Sequence, residues 1–435
     1  MDFEDAPLRS FHLRLAAASG LGVFSTAAAL GVVGIPLGLA AAQLQLTPFW
    51  IGLLGGASLI GLFFGALAAG PVADRFGRRT IFGYNMAFLA VFSGLQFFVA
   101  SSVQWLALRL AIGFVLGTDF VVGKTVVSEF TPRIYRGRIL ATLSIAWAGG
   151  FAFGYFVAFA LRTGEADAWR WMLLASAVPC LPAFLLRVTV PETPLWLALH
   201  GRADQATQIV LRIFGTGVMA PRAAPFLQPS QARWRQLFSP TWRRRTLTSV
   251  AVYTCQNIPY FALGTFVTEV INALDLHVGY VGGLFYNLSL LTGAALGLFV
   301  VDRISRRGLL VGSFVVTALA ILPLALGASL SPVAVTVLFG IYATALSCNV
   351  VLDYVYLPEL FPTDLRASGI ALASAASRFG AATGTFLLPT VVAAFGPRVA
   401  IATCVAVLMI GAVICYAWAP ETRNVRLATV DVGAA

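Results

Sequence analysis

Charge is what this chain has least of. Asp, Glu, Lys and Arg together make up 11% of its 435 residues, against about 25% in an ordinary soluble domain. So few charges cannot cover a globule in which 59% of residues are hydrophobic, so the surrounding medium is lipid. The mean hydropathy of +0.86 agrees. That shortage excludes a soluble enzyme, a nucleic-acid-binding domain and a disordered chain. Histidine is rarer still. His12, His200 and His277 are the whole set and no two share an apolar run, so neither a metal centre nor a clustered membrane active site is available. The five cysteines, Cys180, Cys255, Cys348, Cys404 and Cys415, lie inside apolar stretches with no CxxC and no paired histidine. They read as small buried hydrophobes, not as ligands or disulfide partners. No ring of charges or filter loop of a channel is visible, and the tail after Pro420 is too short for the appendage of a membrane-embedded sensor. No cofactor and no metal are expected.

Apolar runs, by contrast, fill the chain. A membrane helix needs about 20 apolar residues. Twelve windows qualify, at 15–42, 49–72, 80–100, 105–127, 139–161, 171–190, 247–273, 279–300, 309–328, 333–357, 367–395 and 399–419. Continuous apolarity without strict alternation predicts helices rather than a β-barrel. The first run follows Arg9 and Arg14 and is too long for a signal-peptide core, so it is read as the first span. The long connection separates spans 6 and 7. Numbering the loops alternately puts 23 of the 29 basic residues on one side, Arg187 among them. The other side has Arg162, Arg170 and Arg398, and Arg109, Lys124 and Arg378 stay inside spans. The positive-inside rule then predicts that both termini and the long loop are cytoplasmic, in a multi-pass protein of a plasma (inner) membrane.

The chain also repeats itself at an offset near 229. Asp74-Arg75-x-Gly77-Arg78-Arg79 recurs as Asp302-Arg303-x-Ser305-Arg306-Arg307, offset 228. Glu129-x-x-Pro132-x-x-x-Arg136 recurs as Glu359-x-x-Pro362-x-x-x-Arg366, offset 230, and Pro191-Glu192-Thr193 as Pro420-Glu421-Thr422, offset 229. Three matches in order predict an all-α membrane protein of two parallel six-helix pseudo-repeats, related by an axis along the membrane normal. Residues 1–190 form the first half, 191–243 a cytoplasmic linker and 244–435 the second half.

Gly70-Pro71-Val72-Ala73-Asp74-Arg75-Phe76-Gly77-Arg78-Arg79 resembles the signature loop of the major facilitator superfamily. Pro191-Glu192-Thr193-Pro194-Leu195-Trp196-Leu197 and Pro358-Glu359-Leu360-Phe361-Pro362-Thr363, with Arg366 and Gly369, are similar to loops of its sugar porters. The glutamines that sugar porters carry in spans 5 and 7 are not matched: span 5 has none, and span 7 offers Tyr253, Gln256, Asn257 and Tyr260 in another arrangement. The run from Gly117 through Asp119 to Gly137 is similar to proton-coupled phosphate and organic-acid porters. Ser377-Arg378-Phe379-Gly380 is similar to organic-anion transporters, whose arginine there meets the substrate's charge. The resemblance implies a secondary active transporter, not an enzyme, that moves a small organic anion with protons by alternating access. Facilitated or proton-coupled sugar or polyol transport and drug efflux are the alternatives. Its partners are the substrate, protons and the lipid bilayer, with no nucleic acid, and it is expected to be monomeric.

An ionised side chain at the bilayer centre costs at least about 2.5–3.5 kcal/mol, so each must face a cavity or a partner. Asp119, in mid-span 4, is read as a proton carrier, as one half of an ion pair with Lys124 that would be splayed because Lys124 lies about 140° further round the helix, or as a direct substrate contact. Arg378 sits about 18 Å past Arg366 along its helix and offers a planar fork to a carboxylate or phosphate. It is read as the substrate's anchor or as a partner of Asp353. Lys124, the sole lysine, and Asp353 stand at equivalent repeat positions and form a candidate bridge between halves; snorkelling is the alternative for Lys124. Tyr253, Gln256, Asn257 and Tyr260 follow i, i+3, i+4, i+7 and share a face. With Tyr286, Asn287 and Asn349 they are candidate cavity-lining residues. The resemblance implies a gating role for the loop charges Asp74, Arg75, Arg78, Glu129, Arg136, Asp302, Arg303, Glu359 and Arg366, which would hold the halves together at one end.

Overall fold

The computed structural model describes residues 6–215, 218–219, 235–274, 278–301, 303–328, 330–361 and 363–422. Asp302, the side chain of Arg366 and much of the long linker lie outside the described residues.

The regular elements are helices, and they fall on the expected windows. Span 1 runs Ser10–Gly31 and resumes as Gly34–Gln43. Span 2 is Pro48–Phe76, span 3 Arg78–Phe98, span 4 Ser102–Phe130 and span 5 Arg133–Ala160. Span 6 is Ala168–Ala175 and Cys180–Val188. After the short helices Pro194–Leu199 and Ala203–Phe214, span 7 runs Arg243–Thr265 and Val267–Asn272. Span 8 is Gly279–Val300, span 9 Arg306–Ala325, span 10 Pro332–Val350 with Leu352–Leu360, span 11 Thr363–Phe395 and span 12 Pro397–Trp418. Starts follow capping chemistry. The hydroxyls of Thr47, Ser101, Ser305 and Ser331 each accept a backbone N–H of the first turn, supplying a partner the helix itself lacks.

Eleven helices among the described residues are long and apolar enough to cross a membrane by themselves. Span 7 is the one that falls short, because it opens on Arg243-Arg244-Arg245 and carries the Tyr253, Gln256, Asn257, Tyr260 stripe. It packs along span 11, and a polar helix survives in lipid only in such company.

The packing repeats. Span 2 lies along span 4 and span 1 along span 5; span 8 lies along span 10 and span 7 along span 11. The two sets meet through span 2 against span 11 and span 5 against span 8. Large apolar side chains such as Phe64, Phe88, Leu181, Leu185 and Val413 face outward, as a lipid solvent requires.

The three repeated motifs do equivalent work at the arginine-rich end. Glu192 accepts the backbone N–H of Arg79 at 3.1 and 3.2 Å, capping span 3, and Glu421 accepts those of Arg306 and Arg307 at 3.0 and 3.2 Å, capping span 9. A carboxylate there complements the helix dipole. Gly77 has φ +89, and a Cβ on it would crowd Glu192 Oε2, so glycine is needed at this turn. Arg78 pairs with Glu129, and Arg306 Nε lies 3.6 Å from Glu359 Oε2. Both ion pairs lie within one set of six spans. The expectation that these charges tie the halves to each other is therefore corrected for this conformation: Arg78, Glu129, Arg306 and Glu359 brace loops to their own bundle.

Candidate functional site

The opposite, arginine-poor end is shut. Gly34 of span 1 meets the carbonyl of Thr265 of span 7, and Gly52 of span 2 meets that of Phe386 of span 11, so closely that neither position has room for a Cβ. Tyr155 of span 5 adds a polar latch: its hydroxyl donates to Tyr280 O at 3.0 Å and bonds Thr268 Oγ1 at 2.6 Å. Glu269 lies beside it, against Gly38 of span 1.

Below this seal a cavity of about 450 Å³ separates the halves. Spans 2, 4 and 5 wall it on one side, spans 7, 10 and 11 on the other. It reaches Leu140 and Ile370, close to the arginine-rich loops. Lys124, Asp353 and Arg378 are its charged lining residues, with Tyr253, Thr125 and Ser374 adding hydroxyls. A small recess at its head is lined by Phe120, Trp147, Tyr253, Asn257, Tyr260, Phe261, Val350, Asp353 and Arg378.

Arg378 is the centre of this arrangement. Its guanidinium carbon lies 5.3 Å from the ring centre of Phe120 and 5.5 Å from that of Phe261, so it is flanked by rings from both halves. It donates to Asn257 Oδ1 at 3.5 Å, while Nε has no partner among the described residues. A guanidinium so held keeps donors for an arriving oxyanion. Lys124 Nζ stands 3.6 Å over Phe120, a cation–π contact. Asp353, in the first turn of Leu352–Leu360 where span 10 breaks, is held from span 7. Gln256, with its amide turned to satisfy both neighbours, donates to Asp353 Oδ1 at 3.1 Å and accepts from Val350 N at 3.1 Å. Tyr253 donates to the Asp353 carbonyl at 3.3 Å, and Trp147 Nε1 donates to Tyr260 Oη at 3.3 Å. Lys124, Asp353, Arg378, Tyr253, Asn257 and Tyr260 are thus brought together, with Gln256 directly behind.

Three expected cavity residues are placed elsewhere. Tyr286 is fully buried and stacks on Tyr342, with ring centres 6.1 Å apart. Asn287 donates to Gly283 O of its own helix at 2.8 Å, and Asn349 is buried. None of the three lines the cavity or the recess, because their faces of spans 8 and 10 turn into the second half's interior.

Asp119 is also turned away from the cavity. It is buried inside the first half in a two-pronged ion pair with Arg187 of span 6, Nη2 to Oδ2 being 3.2 Å. Arg187 in turn donates to Ala18 O at 3.2 Å and Phe82 O at 3.1 Å. This corrects two expectations: Asp119 pairs with Arg187 rather than Lys124, and Arg187 is a core residue rather than a loop charge. Arg109 is buried as well, donating to Ala29 O at 3.1 Å near the break in span 1. Of the loop charges, Arg75 lies over the ring of its neighbour Phe76 at 5.5 Å. Arg136 donates from Nε to Thr131 O at 3.3 Å, and Asp74 accepts Trp196 Nε1 at its backbone carbonyl at 3.3 Å. The aromatic walls Phe63, Phe120, Trp147 and Phe261 escaped the sequence reading, since an inward ring and a lipid-facing ring look alike in an apolar run.

The sequence matches the family described as Sugar (and other) transporter over residues 25–433. It is 35% identical to the inner membrane metabolite transport protein YgcS of Escherichia coli, over 99% of this chain and 97% of that protein. It is 28% identical to the niacin transporter NiaP of Acinetobacter baylyi, over 87% of this chain and 86% of that one. Among solved structures, the inward open conformation of the xylose transporter XylE from E. coli matches with a TM-score of 0.81 at 18% identity, covering 97% of this chain and 99% of the other. XylE bound to 6-bromo-6-deoxy-D-glucose matches at 0.72 with 19% identity, covering 97% and 98%.

Proposed function

On the premise that the chain belongs to the sugar (and other) transporter family of the major facilitator superfamily, we propose that it carries a small organic anion by alternating access, with Arg378 as anchor. The two halves, 1–190 and 244–435, rock about the cavity, and the arginine-rich end faces the cytoplasm. The single observation behind the anion is Arg378 itself: a permanent cation in mid-membrane, held between two rings, on the wall of the cavity between the halves. A cation there is costly unless something compensates it in every state. A carboxylate accepts two parallel hydrogen bonds from the guanidinium and does so well. The name of the niacin transporter relative, whose substrate is a carboxylate, points the same way. Proton coupling belongs to the same proposal, because an anion taken up with one proton moves as a neutral pair down an inward pH gradient.

The neutral-solute reading draws on the amide and hydroxyl stripe of span 7, but it leaves Arg378 only the task of balancing Asp353. Uptake into proteoliposomes of carboxylates, phosphates, sugars and cationic drugs, with and without a pH gradient, separates the readings. Arg378→Ala should abolish anion uptake. Arg378→Lys keeps the charge but loses the fork, and should weaken affinity about 10- to 100-fold, the worth of one or two charged hydrogen bonds. Wild-type uptake by Arg378→Ala, or concentrative uptake of sugars alone, would overturn the anion proposal.

A further inference from the structure

We infer that the anion is a monocarboxylate built on a flat aromatic ring. This rests on the anion reading and deepens it. The charge comes from a count of the cavity wall. Its charged residues among those described are two cations, Lys124 and Arg378, and one carboxylate, Asp353. The formal balance is one positive charge, which a monoanion neutralises. A dianion leaves the site net negative and a cation doubles its excess, and each uncompensated charge is expensive where water is scarce.

The body of the substrate is set by the rest of the wall. Leu62, Phe63, Leu67, Val121, Leu140 and Ile370 make up most of the uncharged wall, against three hydroxyls from Thr125, Tyr253 and Ser374, too few to pair every group of a polyhydroxylated body. A sugar acid would leave polar groups unpaired against them. An apolar body fits, and the charged residues favour a ring over a saturated one. Lys124 already rests on a ring face, 3.6 Å above Phe120. A substrate ring with its carboxylate on Arg378 would lie on the side of the Lys124 ammonium away from Phe120. There it presents a second ring face to the ammonium. A saturated ring has the same width but no quadrupole. The chamber, at about 450 Å³, lies at the small end of ligand sites, which run from about 300 to 1,000 Å³. A single ring with one substituent suits it.

The test is a binding measurement on the purified full chain in nanodiscs with four probes: benzoate, benzamide, cyclohexanecarboxylate and phthalate. Benzoate should bind most tightly. Cyclohexanecarboxylate should be about three- to tenfold weaker, the worth of one aromatic contact. Phthalate should be weaker by at least about tenfold, and benzamide should not bind. Phe120→Leu should narrow the benzoate-to-cyclohexanecarboxylate affinity ratio, which is read as a ratio because the same ring also flanks Arg378 and both affinities can fall. Equal binding of the two ring acids to the parent overturns the aromatic inference and leaves the anion reading standing. Phthalate binding as tightly as benzoate overturns the monoanion count. Benzamide binding like benzoate, or no binding of any probe, overturns the inference, and the benzamide result also removes the anion reading beneath it.

Discussion

Replacing Asp119 by Asn separates a structural ion pair from a proton carrier. Asp119 and Arg187 are 2% and 0% exposed. The guanidinium also donates to two backbone carbonyls and lies 4.1 Å from the Phe82 ring centre. It has no route to solvent, and Gly22 beside it has no room for a Cβ. Asn keeps the volume and one acceptor but removes the countercharge. Breaking a buried pair from one side costs about 3–5 kcal/mol. For a unit the size of one six-helix half, each kcal/mol lowers the melting temperature by roughly 2–4 °C, so the expected fall is roughly 6–20 °C. Asp119→Leu combined with Arg187→Met should recover most of it, since apolar replacement of a whole buried pair is often neutral. The assay is thermal unfolding of the purified single and double variants. Uptake driven by a pH gradient is measured in parallel below the melting range. If Asp119→Asn melts like the parent and loses only pH-driven uptake, then Asp119 is the proton carrier and the structural account of the pair fails.

Gly34→Val puts a side chain where span 1 touches Thr265, so the arginine-poor end should stay open. A cysteine placed at Ala375, with the five native cysteines replaced, should then react faster with an impermeant thiol reagent from that side, and unchanged labelling would refute the seal. Glu192→Gln and Glu421→Gln each weaken the cap of an equivalent helix. They should lower stability by similar small amounts, about 0.5–1 kcal/mol each given their partial solvation; a large loss from only one would break the equivalence of the two repeats.

The span windows and the duplication were legible in the sequence for one reason. Lipid demands long apolar helices and pushes charge to their ends, and that demand is local. Much of the cavity was legible on the same ground. Arg378 and Asp353 are costly in lipid wherever they point, and Tyr253, Gln256, Asn257 and Tyr260 declare a shared face by spacing alone. The rotation of each helix about its own axis was not legible, because neighbours distant in sequence set it. Asp119 and Asp353 look alike as isolated acids in apolar runs. Span 6 brings Arg187 against the first, 68 residues away, while span 10 breaks and turns the second into the cavity. Asn257 and Asn287 each donate an amide N–H to the carbonyl four residues back in their own helix, but Asn257 also accepts from Arg378 and lines the recess while Asn287 does not, for the same reason. Phe120 and Phe261 carry no polar signal at all, and only the meeting of spans 4, 7 and 11 makes them the walls around Arg378. The pairing of Arg78 with Glu129 inside one half, rather than across to the other, is likewise decided by which loops the bundle folds together at one end.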